Sequence, residues 1–254
     1  TVDSLNQYIE SLIGPMGDLR AFRPELILCG TIVLLMLVPL FLAGLGKCLK
    51  TRLRPHMSVV ALAGVLIAWF DSGFQFLNNL ESVTPQAREI FGGMLVFDSF
   101  TLYLRIFLLT FTFLVILLTM LTGIPDAEDS ADFYTLLIGS VVGMSLMASA
   151  NHLLMLFLAV EMASVPSYGM AGFLKGRRQS SEAALKYVVY GGAAAGVMLY
   201  GMTLLAGMYS TAHVPTLAKA MLAQFSASGG EFSPLVLLAL MMVLVGIAFK
   251  LSAF

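Results

Sequence analysis

Charge is the scarcest commodity in this chain of 254 residues: 14 Lys+Arg and 15 Asp+Glu amount to 11% of the sequence, against 59% hydrophobic residues. A soluble domain of this size carries about 25% charged and 45–50% apolar residues. A chain with mean hydropathy +0.91 cannot cover a water-facing surface with polar groups, which excludes an ordinary cytoplasmic enzyme. The near balance of charge leaves no basic face for nucleic acid. Two cysteines, Cys29 and Cys48, exclude a disulfide scaffold, and their isolation indicates neither a metal site nor a redox pair; buried free thiols are expected. No phosphate loop, zinc spacing, haem pair or flavin fingerprint occurs, so no redox cofactor is expected in this chain. Residues 1–24 lack the basic start and short apolar run of a signal peptide.

What the chain has is long apolar runs. Seven segments, about 25–46, 57–78, 96–121, 132–150, 152–174, 182–208 and 233–254, are each long enough to cross about 30 Å of hydrocarbon as a helix. Short alternating segments of a membrane barrel are missing. The expected fold is an all-α, polytopic integral membrane helix bundle. Residues 1–24 form a lead-in in which Leu5, Ile9, Leu12 and Ile13 recur at helical spacing, as in a short interfacial helix. Residues 25–121 hold the first three spans and 122–254 the remainder. Ala150, Asn151 and His152 leave only a tight turn between the fourth and fifth spans, and Ser226, Ser228, Gly229 and Gly230 mark a loop before the last. Gly139 with Gly143, and Gly192 with Gly196, are spaced to let helices approach closely.

Lys and Arg in the loops set orientation. One side has Lys47, Lys50, Arg52, Arg54, Lys175, Arg177 and Arg178; the other has Arg20, Arg23, Arg88 and Lys219. This excess places the N-terminus outside. The acidic loop Asp126, Glu128, Asp129 and Asp132 changes the count little, because acidic residues contribute little to the rule.

Five charges fall within the spans: Asp98, Arg105, Glu161, Lys186 and Lys250. Each isolated charge at the bilayer centre costs about 2.5–3.5 kcal/mol on insertion scales, so such residues face a partner, a cavity or water. Glu161 lies mid-span, beyond reach of either interface. Pro166 lacks an amide proton and leaves the Met162 carbonyl without its helical partner, so a kink is expected one turn on. Lys250 is about 20–25 Å along the last span. Burial there favours the neutral amine and a nearby carboxylate favours the ammonium, a balance suited to binding and releasing a proton. Lys186 is close enough to a span end to snorkel, with Ser181 a candidate cap and Glu182 in the first turn. Asp98 and Arg105 share one helix face, and a pairing is as open to them as chemistry. Asp71 reads as structural, and His152 as a polar turn residue or a relay.

The stretches LLMLFLAVEMASVPSYGMAGF (153–173), SEAALKYVVYGGAAAGVMLYGMTLLAG (181–207) and VGIAFKLSAF (245–254) resemble subunit N of the proton-pumping NADH:quinone oxidoreductase, respiratory complex I, whose mitochondrial counterpart is NADH dehydrogenase subunit 2. The resemblance rests on Glu161, Ser164 and Tyr168, on Glu182, Ala183, Lys186 and Tyr187, on Leu199, Tyr200 and Gly201, and on Phe249 and Lys250. It covers residues 120–254 well; the first three spans fit mainly by number.

The resemblance implies an antiporter-like subunit in which Glu161, Lys186 and Lys250 form a proton path. It implies partners in the membrane arm, the sister subunit M and the small subunit K, and a lipid bilayer around them. NADH, FMN, iron–sulfur clusters and quinone would belong to partner subunits. The expected location is the bacterial inner membrane, or the mitochondrial inner membrane if the chain is organellar. Family members are about twice as long, with two inverted repeats, so this chain is expected to be an N-terminal portion, or the product of a split gene, that stops within the first repeat, at the seventh helix. A multi-subunit sodium/proton antiporter is the alternative, since its subunits share the repeat. A membrane subunit whose charges merely pair is a third reading.

Overall fold

The computed structural model describes residues 17–44, 57–81, 87–123, 130–174 and 177–251. The expected interfacial helix over 5–13, the loop cations Lys47, Lys50, Arg52, Arg54 and Lys175, Cys48, and the acids Asp126, Glu128 and Asp129 lie outside the described residues.

In chain order the elements are α1 (Asp18–Ala21), α2 (Arg23–Gly44), α3 (Met57–Glu81), β1 (Arg88–Ile90), β2 (Leu95–Phe97), α4 (Ser99–Thr122), α5 (Ser130–Ser149), α6 (Leu153–Ala171), α7 (Arg178–Tyr209), α8 (Val214–Ala227) and α9 (Pro234–Lys250). Helices dominate because a chain in lipid must satisfy its backbone polar groups within each span. Among the described residues, α2 to α7 are each long and apolar enough to cross a membrane. The seventh expected span appears as α9, a 17-residue apolar helix that starts on the Ser233 cap and Pro234. The chain is a multi-pass membrane protein.

Successive helices run up and down. Arg23 Nη2 meets Asp71 Oδ1 at 2.7 Å, Asn79 Nδ2 meets Ser99 Oγ at 3.1 Å, and the Leu153 amide donates to the Ala212 carbonyl at 2.8 Å. One membrane face therefore gathers the starts of α2, α4 and α6 and the ends of α3, α5 and α7. The same face carries a feature that the apolar pattern does not show, the antiparallel hairpin β1–β2, in register Arg88↔Phe97, Glu89↔Val96 and Ile90↔Leu95. Its turn, 91–94, places Gly92 and Gly93 at φ +66° and +83°, a region where side chains are strained.

Two apolar cores result. Leu28, Leu35, Val65, Leu109, Ile116, Ile138 and Val142 fill the space among α2, α3, α4 and α5, while Leu153, Met198, Met202, Leu205, Leu217, Val236 and Ala239 join α6, α7, α8 and α9. Large apolar side chains such as Phe41, Phe70, Phe107 and Leu121 point outward, as expected where the surroundings are lipid.

Three local expectations are corrected. The sixth span starts earlier than its supposed cap at Ser181: α7 begins at Arg178 on Arg177, with no side-chain cap. Its polar first turn persists because the carbonyl of Arg177 takes the amides of Ser180 and Ser181. Asp98 lies outside the span it was assigned to: it is the N-cap of α4, accepting the Thr101 amide at 2.7 Å. Gly192 and Gly196 face open space; the close approaches are instead at Gly191, Gly201 and Gly246. The pattern Gly139/Gly143 does serve a contact, because a Cβ at Gly143 would strike the backbone of Met162 and Ala163, and one at Gly139 would touch Pro166.

Candidate functional site

Glu161, Ser164 and Tyr168 stand at i, i+3 and i+7 on α6, a spacing that puts them on one helical face. Glu161 is the ninth of nineteen residues, and Pro166 lies within the helix between Ser164 and Tyr168. Helix α5 seats this interrupted stretch: its glycines allow backbone approach, and Ser140 Oγ donates to the Ala163 carbonyl at 3.1 Å. Ser164 Oγ donates to the Val160 carbonyl at 2.6 Å, which fixes its oxygen toward the same face.

Lys250, the last residue of α9, reaches this face. Helix α9 is held against α7, where a Cβ at Gly201 would lie 2.7 Å from the Ala239 carbonyl oxygen and one at Gly246 would overlap Met198. From that position the Lys250 ammonium donates to Ser164 Oγ and, at 2.9 Å, to Tyr168 Oη, and it sits 3.2 Å from Glu161 Oε1. The side chains of Glu161 and Lys250 are 24% and 18% exposed, so the pair is mostly withdrawn from its surroundings. Glu161 Oε1 is itself buried and takes no hydrogen bond from a described residue. The ammonium is thus held by two hydroxyls, and to the carboxylate by charge alone.

Tyr168 is wedged in turn. Its hydroxyl rests where only a glycine, Gly191 of α7, leaves room, and its ring meets Tyr187 edge-on at 4.6 Å between centroids. Tyr187 Oη lies 3.5 Å from Ser167 Oγ, and its ring neighbours Phe249 at 6.2 Å. Chemically this is a half-buried amine with one anionic and two hydroxyl partners. Such a site can hold or release a proton as the carboxylate approaches or withdraws. Among the described residues no group of three His, Cys, Asp or Glu side chains is placed to hold a metal.

Residues 150–254, which contain all four side chains, match the family described as "NADH:quinone oxidoreductase/Mrp antiporter, TM". NADH-quinone oxidoreductase subunit N of Chlorobium chlorochromatii is 32% identical over 248 residues, covering 96% of this chain and 45% of the relative. The subunit N of an Anaeromyxobacter species is 34% identical over 237 residues, 91% of this chain and 43% of its own length. The chain is similar to NADH-quinone oxidoreductase subunit N over most of its own length. It spans less than half the length of these relatives. A chain in the structure of respiratory complex I from Thermus thermophilus with bound aureothin superposes with a TM-score of 0.64 at 25% identity, over 89% of this chain and 43% of that one. A chain of an archaeal membrane-bound sulfane sulfur reductase shares the fold, with a TM-score of 0.72 at 18% identity over 91% and 44% of the two chains.

On this subunit N-like framework the other candidate residues fall elsewhere. Lys186 pairs along its own helix with Glu182 at 2.7 Å, both side chains more than half exposed, and among the described residues no hydrogen bond or ion pair joins it to the Lys250 cluster. His152 caps α6, its Nδ1 accepting the Leu154 amide at 3.2 Å. Asp71 pairs with Arg23, and its other oxygen accepts from Gln75 at 2.9 Å.

Arg105 pairs with Glu25, Nη2 to Oε1 at 2.7 Å, and donates from Nη1 to the Ala21 carbonyl at 3.2 Å. Glu25 is absent from the sequence-derived set because it stands at the first residue of the first apolar run, where an interface would excuse it; yet it is buried. A second residue missed is His213, the cap position of α8. Its Nε2 lies 3.1 Å from Glu89 Oε1 and 3.0 Å from Asn151 Nδ2, and Nδ1 is 2.8 Å from Thr216 Oγ1. The signal available was that His213 is one of only three histidines and precedes a Val-Pro helix start.

Proposed function

We propose that this chain forms part of a non-redox, antiporter-like membrane-arm subunit of an NADH:quinone oxidoreductase, and that Glu161 and Lys250 are a switchable ion pair on its transmembrane proton path. The observation that carries this reading is the three-sided hold on Lys250 by Glu161, Ser164 and Tyr168. With Glu161 near, the ammonium is charge-paired and keeps its proton. With Glu161 drawn away, the amine remains in a low-dielectric setting with hydroxyl partners only, and the neutral form gains. Quinone reduction in other subunits would bias the switch, with NADH, FMN and iron–sulfur clusters held there. Lys186, one turn from Glu182, would be the next station along α7.

In this reading the subunit contacts a sister antiporter-like subunit M and the small subunit K, and sits in a bacterial inner membrane with its N-terminus outside. The relatives' names and the family match support the complex I assignment. The test is a Lys250→Met variant of the full-length protein in its assembled complex, reconstituted in vesicles and assayed for NADH-driven quinone reduction with proton uptake. Loss of both is expected; undiminished pumping would overturn the role of Lys250. Sodium-dependent transport without NADH oxidation would instead favour the antiporter reading, which the shared family description keeps in view.

A further inference from the structure

Four helices outside the Lys250 cluster each bring an unpartnered buried polar atom to one level of the bundle. On α2, Glu25 is 1% exposed; on α3, Ser72 is 0%; on α4, Arg105 is 3%; on α5, Ser145 is 1%. Glu25 Oε2, Ser72 Oγ, Arg105 Nε and Ser145 Oγ take or give no hydrogen bond to any described residue. The Glu25–Arg105 ion pair and the Ala21 carbonyl account for only part of what these two side chains can bond.

The level is fixed by contacts. Ser72 follows Asp71, which pairs with Arg23 two residues before Glu25. It continues the buried stripe Ala61, Val65 and Ala68 that α3 turns inward. Trp69 donates to Thr110 of α4 and Asn79 to Ser99, so Ser72 falls between them, level with Arg105. Thr101 of α4 lies against the Ala148 carbonyl of α5, which sets Ser145 one turn deeper, again level with Arg105.

A buried polar atom left unpaired costs about 1–3 kcal/mol, and buried waters meet that need where several polar groups converge. We propose that α2, α3, α4 and α5 enclose a water-binding site around the Glu25–Arg105 pair, in which ordered water bridges Glu25 Oε2, Arg105 Nε, Ser72 Oγ and Ser145 Oγ. This gives the first three spans a hydrated acid–base pair separate from Glu161–Lys250. Water there completes the solvation of two charges whose direct pairing is one-sided, and ties α3 and α5 to the pair without a direct side-chain bond.

The test has two arms, both on the full-length protein in its assembled membrane complex. A map that resolves water is expected to show density within hydrogen-bond reach of at least three of the four atoms. Side chains closed directly on one another, without such density, would overturn the site. Ser72→Ala and Ser145→Ala supply an independent sign. An idle buried hydroxyl is a liability, so its removal raises the thermal dissociation midpoint or leaves it unchanged. A hydroxyl holding bridging water is an asset, and each substitution is expected to lower the midpoint by about 2–4 °C. A rise or no change in both variants refutes the proposal.

Discussion

Tyr168 on α6 and Gly191 on α7 occupy one another's space: the phenol oxygen lies where any β-carbon at 191 would have to be. This fit brings Tyr168 Oη within 2.9 Å of the Lys250 ammonium on a third helix. A glycine that makes no hydrogen bond of its own to the cluster thereby places one on Lys250.

Tyr168→Phe keeps the ring, its edge contact with Tyr187 and the seat on Gly191, and removes only the acceptor on Lys250. A hydrogen bond to a charged group contributes about 1.5–3 kcal/mol. Because that bond holds the ammonium in place, proton-coupled activity of the assembled complex is expected to fall by about tenfold or more, with assembly intact. Undiminished activity would mean that the hydroxyl is spectator to the lysine.

The apolar runs disclose the six long helices and α9, and the cost of burying charge singles out Glu161 and Lys250 before any contact is known. Their meeting is another matter: 89 positions separate them, and no periodicity reports which faces of α6 and α9 point together. Glycine spacing shows the same limit, since Gly192 and Gly196 satisfy the small-residue pattern while Gly191, Gly201 and Gly246 make the contacts. Glu25 is not legible this way, because its place along one helix puts it at a span end, whereas the structure buries it against Arg105 of α4. Strands of three residues are too short to leave a period-two signature, so the hairpin was invisible.

Gly143 and Gly192 make a matched pair. At Gly143 a new Cβ would meet the Met162 carbonyl carbon at 2.7 Å, backbone that cannot rotate away, whereas at Gly192 nothing lies within 4 Å. Gly143→Ala is expected to push α5 off the Pro166 stretch, with about 1–3 kcal/mol of overpacking cost and reduced assembly of the complex. Gly192→Ala should assemble normally. Equal assembly yields on a native gel would contradict the close approach of α5 and α6.

Arg105 and Glu25 should behave as a unit. Arg105→Met leaves a buried carboxylate without its cation, a change that costs about 3–5 kcal/mol in comparable buried pairs. Adding Glu25→Gln removes the charge and is expected to recover much of that loss. Thermal dissociation of the complex across the two single variants and the double variant measures the coupling; additive losses would show that the 2.7 Å contact carries no shared energy.

His213 ties three elements on the hairpin face, and its loss should loosen them together. Its Nε2 bonds with Asn151 Nδ2, and an Nδ1–H then donates to Thr216 Oγ1. When protonated, Nε2–H turns to Glu89 Oε1 on β1 instead, 3.1 Å away. Beside it the Val214 amide donates to the Asn151 carbonyl at 2.9 Å, and the Leu153 amide to the Ala212 carbonyl at 2.8 Å, stitching the α5–α6 turn to the α7–α8 loop. His213→Ala removes the side-chain bonds and leaves those backbone bonds to hold alone. Losing about 1–1.5 kcal/mol of net hydrogen bonding corresponds to roughly tenfold faster opening. Hydrogen exchange at the Leu153 and Val214 amides is therefore expected to accelerate by that factor, while the amides of the α6 interior stay unchanged. Unaltered exchange at both amides would place the stability of this junction in the backbone bonds and leave His213 without a structural role.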